Sequence, residues 1–208
     1  MGFYENKIIP WLLDATEPKE MAEHRRLILQ DVKGEILEIG IGTGVNLSYY
    51  PEHIKGLTTI EPSDAMRHRA EQRANAKGRT IEWHRGRGEQ LPFDEGRFDT
   101  VVIADVLCSV DNVDAVLREA FRVLKPGGRL HFLEHGLARE EKIRKWQIRL
   151  NGLSKVIASG CELTRDIENH IRDSSFLIHE LVNVTPFSGI NVLYTHIRGV
   201  AIKPAFAP

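Results

Sequence analysis

Three glycines stand at alternate positions in the run Glu38-Ile39-Gly40-Ile41-Gly42-Thr43-Gly44, directly behind a carboxylate, and a second carboxylate, Glu61, follows Gly42 by nineteen residues. Glycine lets a backbone lie against a ligand with no Cβ in the way, and a strand-to-helix turn of this kind presents amide groups at the start of the next helix. Many nucleotides use such turns, so the neighbours must choose among them. Val45 stands where a dinucleotide fingerprint would place its third Gly or Ala, so the spacing is GxGxG and nicotinamide binding is disfavoured. Glu38 adds negative charge beside the turn, which repels a pyrophosphate and suits a ligand carrying an ammonium and a sulfonium. Glu61 lies about where an acid that accepts both ribose hydroxyls is expected. The set reads as a pocket for a cationic nucleoside; the plain alternative is an ordinary turn with two solvated acids.

Other residues could serve an acceptor. Glu134 and His135 fall at the expected carboxyl end of a strand, where they read equally as a group that binds or deprotonates an acceptor and as a hydrogen-bonded loop pair. Asp105 could orient the acceptor or meet the positive charge of the ligand, or cap a turn. Tyr4, on an amino-terminal segment, could close over a sulfonium through a cation–π contact or simply pack. Cys108 reads mainly as a small buried packing residue, and Cys161 as structural.

These residues need a scaffold. From Gly34 the chain alternates β-rich runs with helical stretches: 36–39, 57–60, 81–84, 100–103 and 130–133 read as strands, with helices over 63–76 and 111–124. Strand, helix, strand order predicts a parallel sheet with right-handed crossovers. In the second helix Val113, Val116, Leu117, Ala120, Phe121 and Leu124 recur at helical spacing, and Pro126-Gly127-Gly128 is expected to stop it and turn the chain into the fifth strand. Thr16 and Pro18 mark the start of a polar helix running toward Gln30. A long amphipathic helix is expected over 140–159, covering the sheet or roofing the acceptor pocket, with a membrane contact through Trp146 and its basic residues as the alternative. A second short helix opens at Thr164. The runs 177–184 and 192–202, joined through Pro186, Ser188 and Gly189, predict an antiparallel hairpin that completes seven strands. The expected fold is therefore α/β, a Rossmann-like, mainly parallel seven-stranded sheet with an antiparallel carboxyl-terminal hairpin and helices on both faces. Residues 1–33 form a helical cap over the site and 34–208 the catalytic domain.

The whole chain narrows the partners. Its 208 residues fit one domain, and 28 Lys and Arg against 29 Asp and Glu leave no field that would attract nucleic acid or an anionic membrane. A small-molecule acceptor and no nucleic acid are expected, with peripheral membrane contact left open. Two cysteines far apart and nine histidines without ligand spacing signal neither a disulfide framework nor a metal site. No long apolar run or signal sequence opens the chain, so a cytoplasmic location is expected.

At these residues the chain resembles the class I S-adenosylmethionine-dependent methyltransferases, from about Gly34 to Ala138. The resemblance rests on the run 38–44, Glu61, Gly88-Glu89-Gln90-Leu91-Pro92-Phe93, Arg97-Phe98-Asp99, and Val123-Leu124-Lys125-Pro126-Gly127-Gly128-Arg129. It implies S-adenosylmethionine as cofactor, converted to S-adenosylhomocysteine. Gly40, Gly42 and Gly44 would face its methionine part with Glu38 and Asn46, Glu61 would face the ribose with Pro62 and Ser63 beside it, and Gly88 and Glu89 the adenine edge. Ala104 to Leu107, with Asp105 and Val106 between them, would line the cofactor near its reactive methyl. Gly88 departs from the Ala of many members, which would loosen that loop. A narrower resemblance, over nearly the whole chain, is to the animal thiol methyltransferases of the endoplasmic reticulum and their soluble bacterial relatives. It rests on Val106-Leu107-Cys108-Ser109-Val110, Glu134-His135, Gly160-Cys161-Glu162-Leu163-Thr164-Arg165 and Gly199-Val200-Ala201-Ile202-Lys203. A small thiol is the acceptor it implies. The alternatives are a lipid headgroup or quinol-type acceptor, or a cofactor-binding regulator with the same fold.

Overall fold

The computed structural model describes residues 19–157, 160–184 and 195–205. Seven strands form one sheet: β1 (Ile36–Ile39), β2 (Gly56–Ile60), β3 (Thr80–His84), β4 (Phe98–Ala104), β5 (Leu124–His135), β6 (Leu177–Val184) and β7 (His196–Ile202), in the spatial order β3-β2-β1-β4-β5-β7-β6. The first five are parallel, and β7 runs antiparallel between β5 and β6. After β1 the chain builds outward to β2 and β3, then crosses back to lay β4 on the other side of β1. That reversal opens a crevice at the carboxyl ends of β1 and β4, where ligands of open α/β sheets bind.

Among the described residues five α-helices accompany the sheet: α1 (Lys19–Leu29), α2 (Asp64–Ala76), α3 (Val113–Val123), α4 (Glu141–Ile157) and α5 (Ile167–Asp173). Helix α3 buries Val113, Val116, Leu117, Ala120 and Val123, the stripe its spacing predicts, and Asn112 caps it by accepting from Ala115 N at 2.9 Å. Its stripe joins Phe98, Phe132, Ile167, Ile171 and Phe176 in the core on one face of the sheet. On the other face, Met21, Ile28 and Leu29 of α1 meet Ala70 and Ala74 of α2 with Leu47 and Tyr50.

Four expectations are corrected. The helix expected after the glycine turn is one 3-10 turn, Val45–Ser48, because Pro51 disfavours helical backbone at the residue before it. Helix α3 stops before Pro126: Leu124 is already extended (φ −72°, ψ 141°) and pairs with Phe98, so β5 starts ahead of the Pro-Gly-Gly turn. Gly88 does not loosen its loop. A Cβ there would come within 2.9 Å of Ile39 Cγ2 and 3.2 Å of Val116 Cγ1, so the bare backbone is what allows the loop to pack down. Finally, α4 turns only part of its apolar stripe inward: Ile143 and Leu150 are half-buried beside buried Gln147 and Ser154, and Trp146, Ile148, Leu153, Val156 and Ile157 are exposed. The expected hairpin connection through Pro186, Ser188 and Gly189, and the Thr16 and Pro18 helix start, lie outside the described residues.

Candidate active site

Gly40, Gly42 and Gly44 all adopt left-handed backbone (φ 68°, 57° and 81°), which only glycine accepts without strain. Their surroundings differ. A Cβ on Gly40 would strike Val106 Cγ2 at 2.6 Å, and one on Gly44 would strike the α2 backbone at Ala70 Cα at 2.9 Å, so these two serve close packing. Gly42 has nothing within 4 Å of its Cβ position. Its N–H donates to Glu61 Oε2 at 3.0 Å, while Glu61 Oε1 accepts from Ser63 N at 2.9 Å. Each oxygen keeps a second lone pair for a hydroxyl.

Behind the turn, Glu38 is buried in β1 and accepts from Asn46 Nδ2 at 2.8 Å and Tyr50 Oη at 2.9 Å. Burial pushes its carboxyl up to about 7, against the pull of those two bonds and of the Arg25 guanidinium. The buried acid is therefore poised to ionise when a cation arrives. At the other end of the crevice Glu89 accepts at Oε1 from Asp111 N (3.0 Å), and Gly86, Arg87, Glu89, Gln90 and Asp111 line an open groove.

Across the crevice Asp105 follows β4 with φ 57°, a left-handed conformation that Asp tolerates better than most residues. Its N–H donates to Leu133 O of β5 at 2.9 Å. Asp105 Oδ2 accepts from Arg25 Nη2 of α1 at 2.6 Å, and Arg25 Nη1 donates to Asn46 Oδ1 at 2.9 Å, so one guanidinium bridges the turn and Asp105. Asp105 Oδ1 lies 3.0 Å from His196 Nε2 at the start of β7. Burial opposes charge on Asp105, but Arg25 and His196 hold its carboxyl well below the usual carboxylate range. His196 is 5% exposed, and its Nδ1 has no hydrogen-bond partner among the described residues. The ring of His135, which pairs with His196 across β5 and β7, meets it edge-on at 5.3 Å. Glu134 Oε1 accepts from Val106 N at 2.9 Å, and burial raises its carboxyl well above the usual range, so it is a neutral acid that holds the 105–107 loop. Cys108 is buried beside that loop. A hydrogen bond with Cys161, then burial, raises its thiol well above the usual value, and its carbonyl accepts from Glu162 N at 2.9 Å.

This crevice pairs a carboxylate-backed glycine turn with an acid–imidazole pair. Residues 37–132 match the methyltransferase domain family. The chain is 31% identical to the human thiol S-methyltransferase TMT1A over 198 residues, covering 89% of this chain and 80% of that protein. It is 33% identical to the rat thiol S-methyltransferase TMT1B over 205 residues, covering 92% and 83%. The chain belongs to the S-adenosylmethionine-dependent methyltransferases. A shorter match, 49% identical over 65 residues and covering 30% of this chain and 20% of that protein, is to the rat mitochondrial 2-methoxy-6-polyprenyl-1,4-benzoquinol methylase. The fold of this chain is similar to that of geranyl diphosphate methyltransferase, solved with GPP and sinefungin (TM-score 0.69, 16% identity, covering 88% of this chain and 78% of that one) and with SAM (TM-score 0.68).

The residues present fit the methyltransferase's cofactor. The open face of Gly42 admits a ligand against bare backbone, Glu61 offers both oxygens to a ribose, and buried Glu38 offers a counter-charge to the methionine end. Glu38, Asn46, Glu61, Ser63 and the glycine turn are therefore brought together as expected, with Ala104 and Val106 across from them. Tyr4 lies outside the described residues. The sequence reading missed Arg25, Tyr50 and His196. Arg25 sits in an unremarkable polar helix and His196 in a β-rich run, so neither carried a local signal. Tyr50 follows Glu38 by twelve residues, with only its placement after the turn to suggest a partner.

The elevated carboxyl of Glu38 makes a prediction with a sign. In the ligand-free fold Glu38 keeps a proton that the unfolded chain releases near 4.5, so its contribution to stability is full below that pH and is lost as pH rises through about 7. Cofactor binding should run the other way, weakening by about tenfold per pH unit below 7 and levelling above it, because a cationic ligand favours the ionised form. Calorimetry in buffers of different ionisation enthalpy should detect close to one proton released on binding at pH 6, and Glu38→Gln should remove that release.

Proposed function

We propose that this methyltransferase methylates the sulfur of a small, apolar thiol, with the Asp105–His196 pair receiving the thiol proton. The observation that carries the reading is the pair itself: an imidazole 3.0 Å from a carboxylate held ionised, with its other nitrogen buried and unpartnered among the described residues. An ionised carboxylate can only accept, so Nε2 carries the hydrogen and Nδ1 presents a lone pair. When bound, S-adenosylmethionine supplies an electrophilic methyl on a sulfonium, and its departure leaves a neutral thioether that needs no acid.

What remains for the chain's own residues is placement and one proton. The acceptor S–H bond breaks as its proton moves to His196 Nδ1, Asp105 stabilises the imidazolium, and the freed sulfur electron pair takes the methyl. The nearby cation of the bound cofactor favours the thiolate and so assists this transfer. Placement at near-attack distance in a dry crevice contributes the rest. His135 flanks this base as a wall of the acceptor site. The reading of residues 1–33 as a cap rests on its described part, α1, which Arg25 ties to Asp105. The two thiol S-methyltransferase relatives support the choice of acceptor.

The test is a panel of thiols, quinols and lipid amines given to the purified protein with cofactor, with products read by mass. S-methylated product is expected. His196→Gln should slow it on the order of a hundredfold while leaving cofactor binding intact, with a smaller loss for acidic aryl thiols that need no base. His135→Ala should also spare cofactor binding. Turnover of a quinol with no thiol product would remove the proposal and favour the second reading, which the short benzoquinol methylase match supports. Tight cofactor binding with no turnover on the whole panel would instead point to a regulator.

A further inference from the structure

Helix α4 carries a surface that neither the chemistry above nor the packing of the sheet uses. Its inward face mixes half-buried Ile143 and Leu150 with two buried polar residues. Gln147 is fully buried, donating through Nε2 to Gly136 O at 3.1 Å and accepting at Oε1 from Ala138 N at 2.9 Å, and Ser154 is buried two turns on. These bonds fasten the helix to the chain just past β5, at the sheet edge that holds Asp105 and His196.

Outward, Trp146, Leu153, Val156 and Ile157 are 47%, 56%, 72% and 39% exposed. Steps of seven and four residues place Trp146, Leu153 and Ile157 on one stripe with Val156 beside it. Lys142, Lys145 and Arg149 border that stripe and are exposed, and the Arg149 guanidinium lies 5.4 Å over the Trp146 ring. Five Lys and Arg face a single acid along Glu141–Ile157. No helix among the described residues is long and apolar enough to cross a membrane.

An aromatic and branched aliphatic stripe bordered by cations matches an anionic bilayer surface. The apolar side chains enter the acyl boundary, tryptophan sits at headgroup depth, and the cations meet phosphates. A symmetric contact with a second copy would bring the same excess of cations face to face. We infer that α4 docks this protein on an anionic lipid surface, holding the rim of the active site beside the bilayer through the Gln147 tether. The inference concerns vesicle binding and stands whichever acceptor the site takes.

Flotation of the full chain with phosphatidylcholine vesicles, with and without phosphatidylglycerol, tests it. Binding should require phosphatidylglycerol and weaken as salt is raised. Leu153→Glu with Val156→Glu, and separately Lys142→Glu with Arg149→Glu, should each lower partitioning by about tenfold or more. Both pairs should keep the thermal shift given by S-adenosylhomocysteine, which shows the fold intact. Equal binding to neutral vesicles, or undiminished binding by both pairs, would overturn the inference. So would loss, in these variants, of a self-association seen without vesicles, which would assign the stripe to contact between copies.

Discussion

Gly42→Val should yield a folded protein that no longer binds S-adenosylmethionine, with affinity reduced on the order of a thousandfold. The reason is the emptiness beside this residue. Gly40 and Gly44 are bare because protein atoms crowd them, whereas the Cβ position of Gly42 has nothing within 4 Å. A valine there puts its methyl groups into the space against which a ligand would lie, and its left-handed backbone adds strain of about 1–2 kcal/mol. The two effects can be separated. Gly96 also has positive φ (67°) and open space at its Cβ position, but it lies in the turn before β4, at the opposite edge of the sheet. Gly96→Val should therefore lose stability by a similar strain and leave binding untouched. Titration calorimetry and thermal melts on both variants read the two quantities independently. Retained binding in Gly42→Val would mean that the cofactor does not approach this face of the turn.

The second large effect is expected at Arg25. Its guanidinium is nearly buried and joins Asn46 to Asp105, while Asp105 is about one-third exposed (side-chain exposures 10% and 35%). Arg25→Met keeps the packing of the stem and removes the charge, leaving the Asp105 carboxylate with the His196 imidazole as its hydrogen-bond partner among the described residues. Breaking a fully buried pair costs roughly 3–5 kcal/mol; the partial exposure of Asp105 discounts this to about 2 kcal/mol. Chemical denaturation should show that loss. Cofactor binding should weaken as well, since Asn46 loses the partner that orients its amide toward Glu38. A double substitution with Asp105→Asn should recover part of the stability, because it removes the charge that Arg25 was neutralising. Additive losses in the double variant would show that the two side chains do not act as a unit.

The fold was legible because its signals are local and repeated. The β-rich run Ile36–Ile39, the turn glycines and the spacing of α3 each state their own structure, and strand-helix alternation then leaves few topologies. The cofactor half of the site was legible for the same reason: Glu38, the glycines and Glu61 fall on or just beyond two neighbouring parallel strands. The acceptor half was not. Asp105 is met by Arg25, eighty residues earlier, and by His196, ninety-one residues later, and nothing in either local sequence announces a partner at that distance. Helix α4 misled for a different reason. Its apolar positions are amphipathic in spacing, but Gln147 needed two backbone partners, and a buried amide left without them costs more than exposed aliphatic surface. The polar residue therefore decided which face turned inward.

The state of Cys108 has a bearing on self-damage. A protein that brings a methylating agent to the loop beside one of its own cysteines risks spending that agent on itself. Alkylation needs the thiolate, and a sulfur whose proton is held by burial and by a neighbouring cysteine offers almost none at neutral pH. A substrate thiol arriving beside an imidazole base meets the opposite condition. If the acceptor is the thiol proposed above, the same crevice keeps one sulfur inert while offering another a base, so discrimination between self and substrate follows from where each proton can go.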